Sequence, residues 1–352
     1  KRAFPSLDRM EREIVEMALG LLGGTARSGG SFTSGGTESN FLALKAARTR
    51  AGARRPGLTG MNIVVPESAH ASLRKGAGYL DLEVRLVPYD REFRSDVAAM
   101  AAAVDDKTIF LLGSAPQFPT GTFDRIAQLG ELALRRDLLL HVDGCIGGFV
   151  LPYFRRLGRN VTDFDFAVPG VTSISMDFHK YGYTAKGASL VLYRDAADLA
   201  FQEFSVEWAS GLYSTPSFLG TRPGGSIAAA WAVMHFLGEA GYLERTHLIL
   251  DTMRRLAAGI EALPGLTVVR PHDLCLLLYG SRDPALDINA VAERLGARGW
   301  YVGRAMKPFD CVQMAINPVH AQFVEQYLGD LGAAVAEVRA SGATAGFDKR
   351  SY

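Results

Sequence analysis

The sequence has almost no excess charge of either sign: 38 Lys and Arg stand against 37 Asp and Glu, a formal net of +1. A nucleic-acid binder should show a clustered basic footprint, and none is present, so nucleic acid is not an expected partner. Cysteine is scarce as well. Cys145, Cys275 and Cys311 are odd in number and widely spaced, which excludes a disulfide framework and a CxxC zinc site. No metal is expected, and a reducing, cytoplasmic location is the default. No apolar run reaches the roughly 18 residues of a membrane span, and Lys1 to Asp8 do not read as a signal peptide. What is abundant is apolar bulk. Hydrophobic residues make up 48% of the 352 and charged residues 21%, enough for a large core and about two domains.

Short apolar runs alternate with helical periodicity through the first two thirds of the chain. The strands expected are Asn62–Val65, Val84–Val87, Thr108–Leu112, Leu138–Val142, Val171–Met176 and Ser189–Tyr193. Helices are expected at Met10–Leu22, Thr37–Arg50, Asp96–Val104 and Phe123–Arg135, with Gly23–Gly36 breaking regular structure. Continuous apolar strands separated by helices call for a mostly parallel sheet covered on both faces, an α/β fold. A polar loop is expected from Ser205 to Gly225, then helices over Ser226–Leu237 and Tyr242–Ala262. A smaller α/β unit follows: strands Leu266–Arg270 and Leu274–Tyr279, helix Ile288–Arg298, a short strand near Trp300, strand Val312–Ile316, and a last helix Val319–Val338. The tail from Ser341 is small and polar and is expected to fray. The domains expected are 1–240 and 241–352, with a soft boundary near Gly238–Gly241.

Ligands of open α/β sheets bind beyond the carboxyl ends of the strands, so polar residues just after apolar runs carry the interest. Ser34-Gly-Gly-Thr-Glu-Ser39 precedes a helix, where glycines let backbone N–H groups approach an anion and the helix N-terminus adds partial positive charge. The same segment also reads as a loop with an ordinary helix cap. His141-Val-Asp-Gly-Cys145 ends a buried strand with Asp143, a costly carboxylate unless a cation or several donors meet it. A protonated ring nitrogen of a cofactor would do so. Lys180, in Ser173-Ile-Ser-Met-Asp-Phe-His-Lys180, follows another strand. A desolvated lysine has a lowered pKa and is a competent amine nucleophile toward an aldehyde. His70, in Pro66-Glu-Ser-Ala-His70, can lay its ring over a planar cofactor. Each alone has a bland alternative: a loop residue, a cap or a surface lysine. Together, in chain order and each ending a strand, they supply partners for the phosphate, ring face, ring nitrogen and aldehyde of pyridoxal phosphate.

At this point the sequence resembles the sphingosine-1-phosphate lyases, within the fold-type I pyridoxal phosphate enzymes that also include the group II amino-acid decarboxylases. The resemblance is carried by FTSGGTES (32–39), SAPQFPTGTFD (114–124), HVDGCIGGFVLP (141–152), SISMDFHKYGYTAKGASLVLYR (173–194) and GLYSTPSFLGTRPG (211–224). These span most of the large domain, and the small domain matches more loosely. His-Lys-Tyr-Gly-Tyr followed by Ala-Lys-Gly looks like the lyase form, whereas the decarboxylases usually lack the second lysine, Lys186.

The resemblance implies that Lys180 is the Schiff-base lysine, that Asp143 pairs with the pyridine nitrogen and that His70 stacks on the ring. Gly36, Thr37 and His179 are implied to hold the cofactor phosphate. Thr221 is implied to reach the phosphate of the partner subunit, which makes the enzyme a homodimer with shared sites. Lys186 is implied to meet the substrate phosphate or to assist proton transfer near it. Cys145 reads as a buried structural thiol. The substrate implied is a phosphorylated long-chain base, cut between C2 and C3. A decarboxylase of the same fold is the alternative. Gln117, Gly144 and Thr184–Ala185 depart from the family's usual Asn, Ala and Ala–Pro. Lys1–Asp8 resembles a segment that relatives carry after a longer N-terminal region, so a truncated or partly observed chain is expected.

Overall fold

The computed structural model describes residues 4–269, 275–305 and 310–346. Arg270 and Leu274, at the ends of two expected strands, lie outside them, as does the expected frayed tail beyond residue 346.

In chain order the first unit contains α1 (Pro5–Leu21), β1 (Gly29–Thr33), α2 (Gly36–Arg54), β2 (Asn62–Pro66), α3 (Ala71–Tyr79), β3 (Glu83–Val87), α4 (Val97–Ala103) and β4 (Thr108–Ser114). It continues with α5 (Ile126–Arg136), β5 (Leu139–Asp143), α6 (Gly147–Arg156), β6 (Val171–Asp177), β7 (Ser189–Tyr193), α7 (Leu199–Gln202), β8 (Phe204–Trp208) and β9 (Gly211–Thr215). Residues 4–117 and 123–242 form this unit.

Its sheet has seven strands in the order β1-β7-β6-β5-β4-β2-β3. The pairings from β3 through β2, β4 and β5 to β6 are parallel, while β7 runs antiparallel to both neighbours, so β7 alone is reversed. The expected mostly parallel sheet is therefore present. Strands β2, β4 and β7 are buried at every position, as continuous apolar runs require of a doubly covered sheet. Leu44 of α2 and Leu73 of α3 pack with Ile63 and Val65 of β2 and Leu112 of β4 in one core cluster. Each such side chain contributes about 1.5–3 kcal/mol.

Local signals set several boundaries. Asp96 caps α4, its Oδ1 accepting from Ala99 N at 3.0 Å. Pro5 opens α1 at a position where a missing N–H costs nothing, so this helix starts earlier than the expected Met10.

Other differences come from tertiary pairing. Within the Gly-rich stretch 23–36, residues 29–33 form β1 because the edge of β7 offers a full ladder, Gly29 opposite Tyr193 through Thr33 opposite Ser189. The expected loop from Ser205 instead opens as the hairpin β8–β9, with Phe204 opposite Thr215 and Trp208 opposite Gly211. The alternation of Phe204, Val206 and Trp208 with polar residues is the period-2 signal of a strand. Helices α3 and α6 were not expected, since α3 is short and α6 follows the glycines of the Asp143 segment with Pro152 inside it.

Helix α8 (Gly224–Ala262) is interrupted at Gly238, whose φ of 54° and ψ of −171° suit a residue without Cβ. The second unit comprises residues 118–122 and the described part of 243–352. It holds β10 (Leu266–Val268), β11 (Leu276–Ser281), α9 (Ile288–Ala297), β12 (Gly303–Ala305), β13 (Cys311–Ala315) and α10 (Val324–Ser341). Its four-stranded antiparallel sheet runs β10-β11-β13-β12. The short strand expected near Trp300 forms at Gly303, where it pairs with Gln313. A 3-10 turn, Pro318–Phe323, precedes α10 because Pro318 opens it and Asn317 caps it. Tyr279 and Tyr327 hydroxyls bond at 2.6 Å within this core.

Candidate active site

Asp143 closes β5 and Asp177 closes β6, so two carboxylates stand at the carboxyl ends of neighbouring parallel strands. Asp143 is 8% exposed and is met by three donors. Asn40 Nδ2 donates to its Oδ2 at 3.0 Å, and Cys145 N and Ser175 Oγ donate to its Oδ1 at 3.1 and 3.3 Å. Burial alone would raise its pKa, but the Lys180 charge and the bonds from Cys145 outweigh it and hold the group below the ordinary carboxylate value.

Asn40 is the hub of a buried relay. Its Oδ1 accepts from His141 Nε2 at 3.0 Å, and its amide also donates to Ser72 Oγ at 3.0 Å. His141 Nδ1 lies 2.8 Å from Ser173 Oγ. Burial pushes the His141 pKa down to about 4, so the ring is neutral, and its bond to the Asn40 oxygen puts the proton on Nε2. Ser72 Oγ meets His70 Nδ1 at 2.9 Å, which connects His70 to Asp143 through two side chains. His70 caps α3, its Nδ1 accepting from Ser72 N at 3.2 Å, and its ring is exposed.

Lys180 lies one turn past β6, with Nζ 2.8 Å from Asp177 Oδ2. Sequence reasoning gave this lysine a lowered pKa; in the structure it is raised. Burial pulls it down, but the carboxylates of Asp177 and Asp143 outweigh that and hold the amine as an ammonium. His179 Nε2 sits 3.5 Å from the same Asp177 oxygen. Burial lowers the His179 pKa against the pull of Asp177, aided by the charges of Lys186 and Lys180. Lys186 is exposed and near enough for its charge to act on that ring.

The opening of α2 joins this cluster. A Cβ on Gly36 would lie 2.4 Å from Cys145 Sγ and 3.0 Å from Asp177 Oδ1, and one on Gly35 would lie 3.5 Å from His179 Cε1. Only glycine fits at Gly36. Thr37 is exposed at the same helix start, and buried Glu38 accepts from Ser34 N at 2.6 Å and from Phe218 N at 2.8 Å. The second of these bonds ties the loop that carries Thr221 to α2. Thr221 is exposed, and no described contact joins it to Lys180 or Gly36. Its neighbour Arg222 forms a two-pronged pair with Glu11, at 2.6 and 2.7 Å, and donates to Phe32 O at 3.1 Å.

Gly36, Thr37, His70, Asp143, His179, Lys180 and Lys186 thus belong to one region at the strand ends. Asn40, His141, Ser72 and Asp177 were not singled out from the sequence. His141 and Asp143 fall on one face of β5, and Asp177 ends β6 as Asp143 ends β5. Those were the signals available.

These residues fit pyridoxal phosphate. An ionised, donor-fixed carboxylate suits a ring N–H, a helix start with two glycines suits a phosphate, and Lys180 suits an aldehyde. Among the described residues no cluster of His, Cys, Asp and Glu is arranged to hold a metal ion. The doubly covered, mostly parallel sheet and this site define a fold-type I pyridoxal phosphate protein. Residues 2–276 match the family model described as the pyridoxal-dependent decarboxylase conserved domain, and the chain belongs to that family.

The chain is 41% identical to the sphingosine-1-phosphate lyase of Oryza sativa subsp. japonica over 96% of its own length and 63% of that protein. It spans less than two thirds of that relative. It superposes on the Burkholderia pseudomallei sphingosine-1-phosphate lyase structure with a TM-score of 0.91 at 38% identity, covering 96% of this chain and 78% of that one. It is also 33% identical to a probable L-tyrosine/L-aspartate decarboxylase of Methanothermobacter thermautotrophicus, covering 93% of this chain and 88% of that protein.

Proposed function

We propose that this chain is the catalytic body of a pyridoxal phosphate-dependent carbon–carbon lyase. Its substrate is a phosphorylated long-chain base, sphingosine or dihydrosphingosine 1-phosphate, cleaved between C2 and C3 to a fatty aldehyde and phosphoethanolamine. The observation that carries this reading is Lys186. It is exposed beside the site, acts on His179, and has no ion pair to a described carboxylate, so its charge is available for a substrate phosphate. The 41% identity to a sphingosine-1-phosphate lyase, against 33% to a decarboxylase, supports the same reading.

Pyridoxal phosphate, when bound, supplies an aldehyde for the substrate amine and a ring that accepts the electron pair of the broken bond. Asp143, kept ionised by the Lys180 charge and its donors, would hold a proton at the ring nitrogen. Gly36, Thr37 and His179 would hold the phosphate, and His70 would cover the ring. Because His70 Nδ1 accepts from Ser72 N, its Nε2 carries the hydrogen, which makes this ring a donor. Lys180, held as an ammonium, gives a proton to C2. The C3 hydroxyl proton passes to the substrate's own phosphate, which Lys186 fixes in place.

The proposal extends to a cytoplasmic homodimer with shared sites, in which Thr221 of one protomer serves the phosphate site of its partner. Phe204, Val206 and Trp208, which share one face of the β8–β9 hairpin, are 52%, 42% and 60% exposed, an apolar surface of the kind a partner subunit covers. The three free cysteines suit a reducing compartment. Among the described residues no helix is long and apolar enough to cross a membrane.

The test is an absorbance spectrum of the purified protein before and after dihydrosphingosine 1-phosphate, with aldehyde and phosphoethanolamine assayed in the same tube. A visible band that shifts on addition, with both products formed, is the expected result. A band without products, together with carbon dioxide from tyrosine, aspartate or glutamate, favours the second reading, an amino-acid decarboxylase. The 88% span of the decarboxylase relative gives that reading its weight.

A further inference from the structure

Asp177 is 1% exposed, and its Oδ1 has no hydrogen-bond partner among the described residues. Its Oδ2 faces Lys180 Nζ at 2.8 Å and His179 Nε2 at 3.5 Å. A carboxylate this deep is costly unless a cation compensates it. His179 is kept neutral, so the compensating cation is Lys180. Asp143 draws on the same lysine, which leaves two buried carboxylates for one ammonium. A protonated ring nitrogen at Asp143 would give that carboxylate a cation of its own. Asp177 would then be the counter-ion dedicated to the lysine nitrogen.

We propose that Asp177 is a further catalytic residue: the counter-ion that keeps the Lys180 nitrogen protonated, both as the free amine and when it is joined to the cofactor aldehyde carbon. The inference rests on the pyridoxal phosphate reading of the site. A carboxylate at hydrogen-bond distance favours the charged form of its neighbour. If a substrate amine displaced it, the two N–H protons given up by that amine would pass to Lys180, which would then stand as an ammonium paired with Asp177 and able to deliver a proton.

The other titratable groups around this nitrogen do not take over the task. Asp143 is committed to its three donors and the ring. The Cys145 thiol is pushed well above its ordinary value by burial, so it stays neutral. His179 faces the same Asp177 oxygen as Lys180 but is kept neutral by burial, and the charge of Lys186 opposes a proton on its ring.

The experiment is a pH titration of the long-wavelength absorbance of the cofactor-loaded protein, unaltered and as Asp177→Asn and Asp177→Glu. Asparagine keeps the shape and removes the charge. Its midpoint is expected to fall by about 1 pH unit or more, a tenfold weaker hold on the proton. Glutamate is expected to keep the midpoint close to that of the unaltered protein. Should Asp177→Asn be insoluble, Asp177→Ser also lacks the charge, needs less room against Gly36, and is read the same way. An unchanged midpoint in a folded, fully loaded Asn or Ser variant overturns the counter-ion role while leaving the cofactor reading intact. If the unaltered protein shows no band, the cofactor reading itself fails, and the counter-ion role fails with it.

Discussion

Asn40 and Asp143, 103 positions apart in the chain, are joined by one hydrogen bond of 3.0 Å. The same amide holds His141 and Ser72, so the carboxylate assigned to the ring nitrogen and the His70 side chain share a single buried frame. Replacing Asn40 with Ala removes a donor from Asp143 and an acceptor from His141 at once. A buried group left unsatisfied costs about 1–3 kcal/mol. Cofactor affinity, measured by fluorescence titration, is expected to weaken about tenfold, and the unfolding midpoint in urea is expected to fall.

His141 gives the fold a pH dependence with a definite sign. Its pKa is about 4 in the folded chain against 6.5 for the free side chain. A depressed value means that the unfolded state binds the proton more readily. The stability contribution is therefore complete above the ordinary value and is lost as pH falls toward about 4. The full difference amounts to about 3 kcal/mol. Urea unfolding at a series of pH values should show this slope, and His141→Gln should remove it.

Gly36 has no room for a side chain. Gly36→Ala places a Cβ 2.4 Å from Cys145 Sγ and 3.0 Å from Asp177 Oδ1. Overpacking of this kind costs about 1–3 kcal/mol, and cofactor retention on a desalting column should fall. Adding Cys145→Ala removes the closest contact, so the double variant should regain part of both losses.

Glu11 and Arg222 clamp the Thr221 loop to β1, with side chains 11% and 14% exposed. Glu11→Gln keeps the shape and removes the charge. The expected loss is about 2 kcal/mol, below the full cost of stranding a buried partner because some water reaches the pair. Amide exchange at residues 216–222 should accelerate, with the core strand β4 unaffected.

Lys186→Ala separates substrate binding from cofactor binding. KM for the phosphorylated base should rise and turnover should fall, while the long-wavelength absorbance of the loaded protein stays unchanged. Loss of that band in Lys186→Ala would place the lysine with the cofactor instead.

Much of this was legible in the chain because the chemistry sits where apolar runs stop. The runs before Asp143 and Lys180 announce strands, and a parallel sheet delivers strand ends to one edge. The mostly parallel sheet and the Gly35–Gly36 opening of α2 follow from residues within a few positions of one another. Strand β1 did not, since five residues rich in Gly and Ser become a strand only because β7 presents an unpaired edge. The hairpin β8–β9 was missed for a different reason: its alternation was visible, but the surrounding Gly, Ser and Pro content read as loop.

By itself the sequence determined the strand ends, the helix start without a side chain at Gly36, and the residue types offered to a cofactor. Those are local properties of composition and period. The tertiary structure decided their protonation and their partners. Lys180 is an ammonium, and not the lowered-pKa amine its sequence context suggested, because the fold sets Asp177 2.8 Å from it and Asp143 within electrostatic range. Asn40 acts on Asp143 only because α2 crosses the end of β5. Electrostatic energy depends on distance through a low-dielectric interior, and the order of residues along a chain does not record that distance.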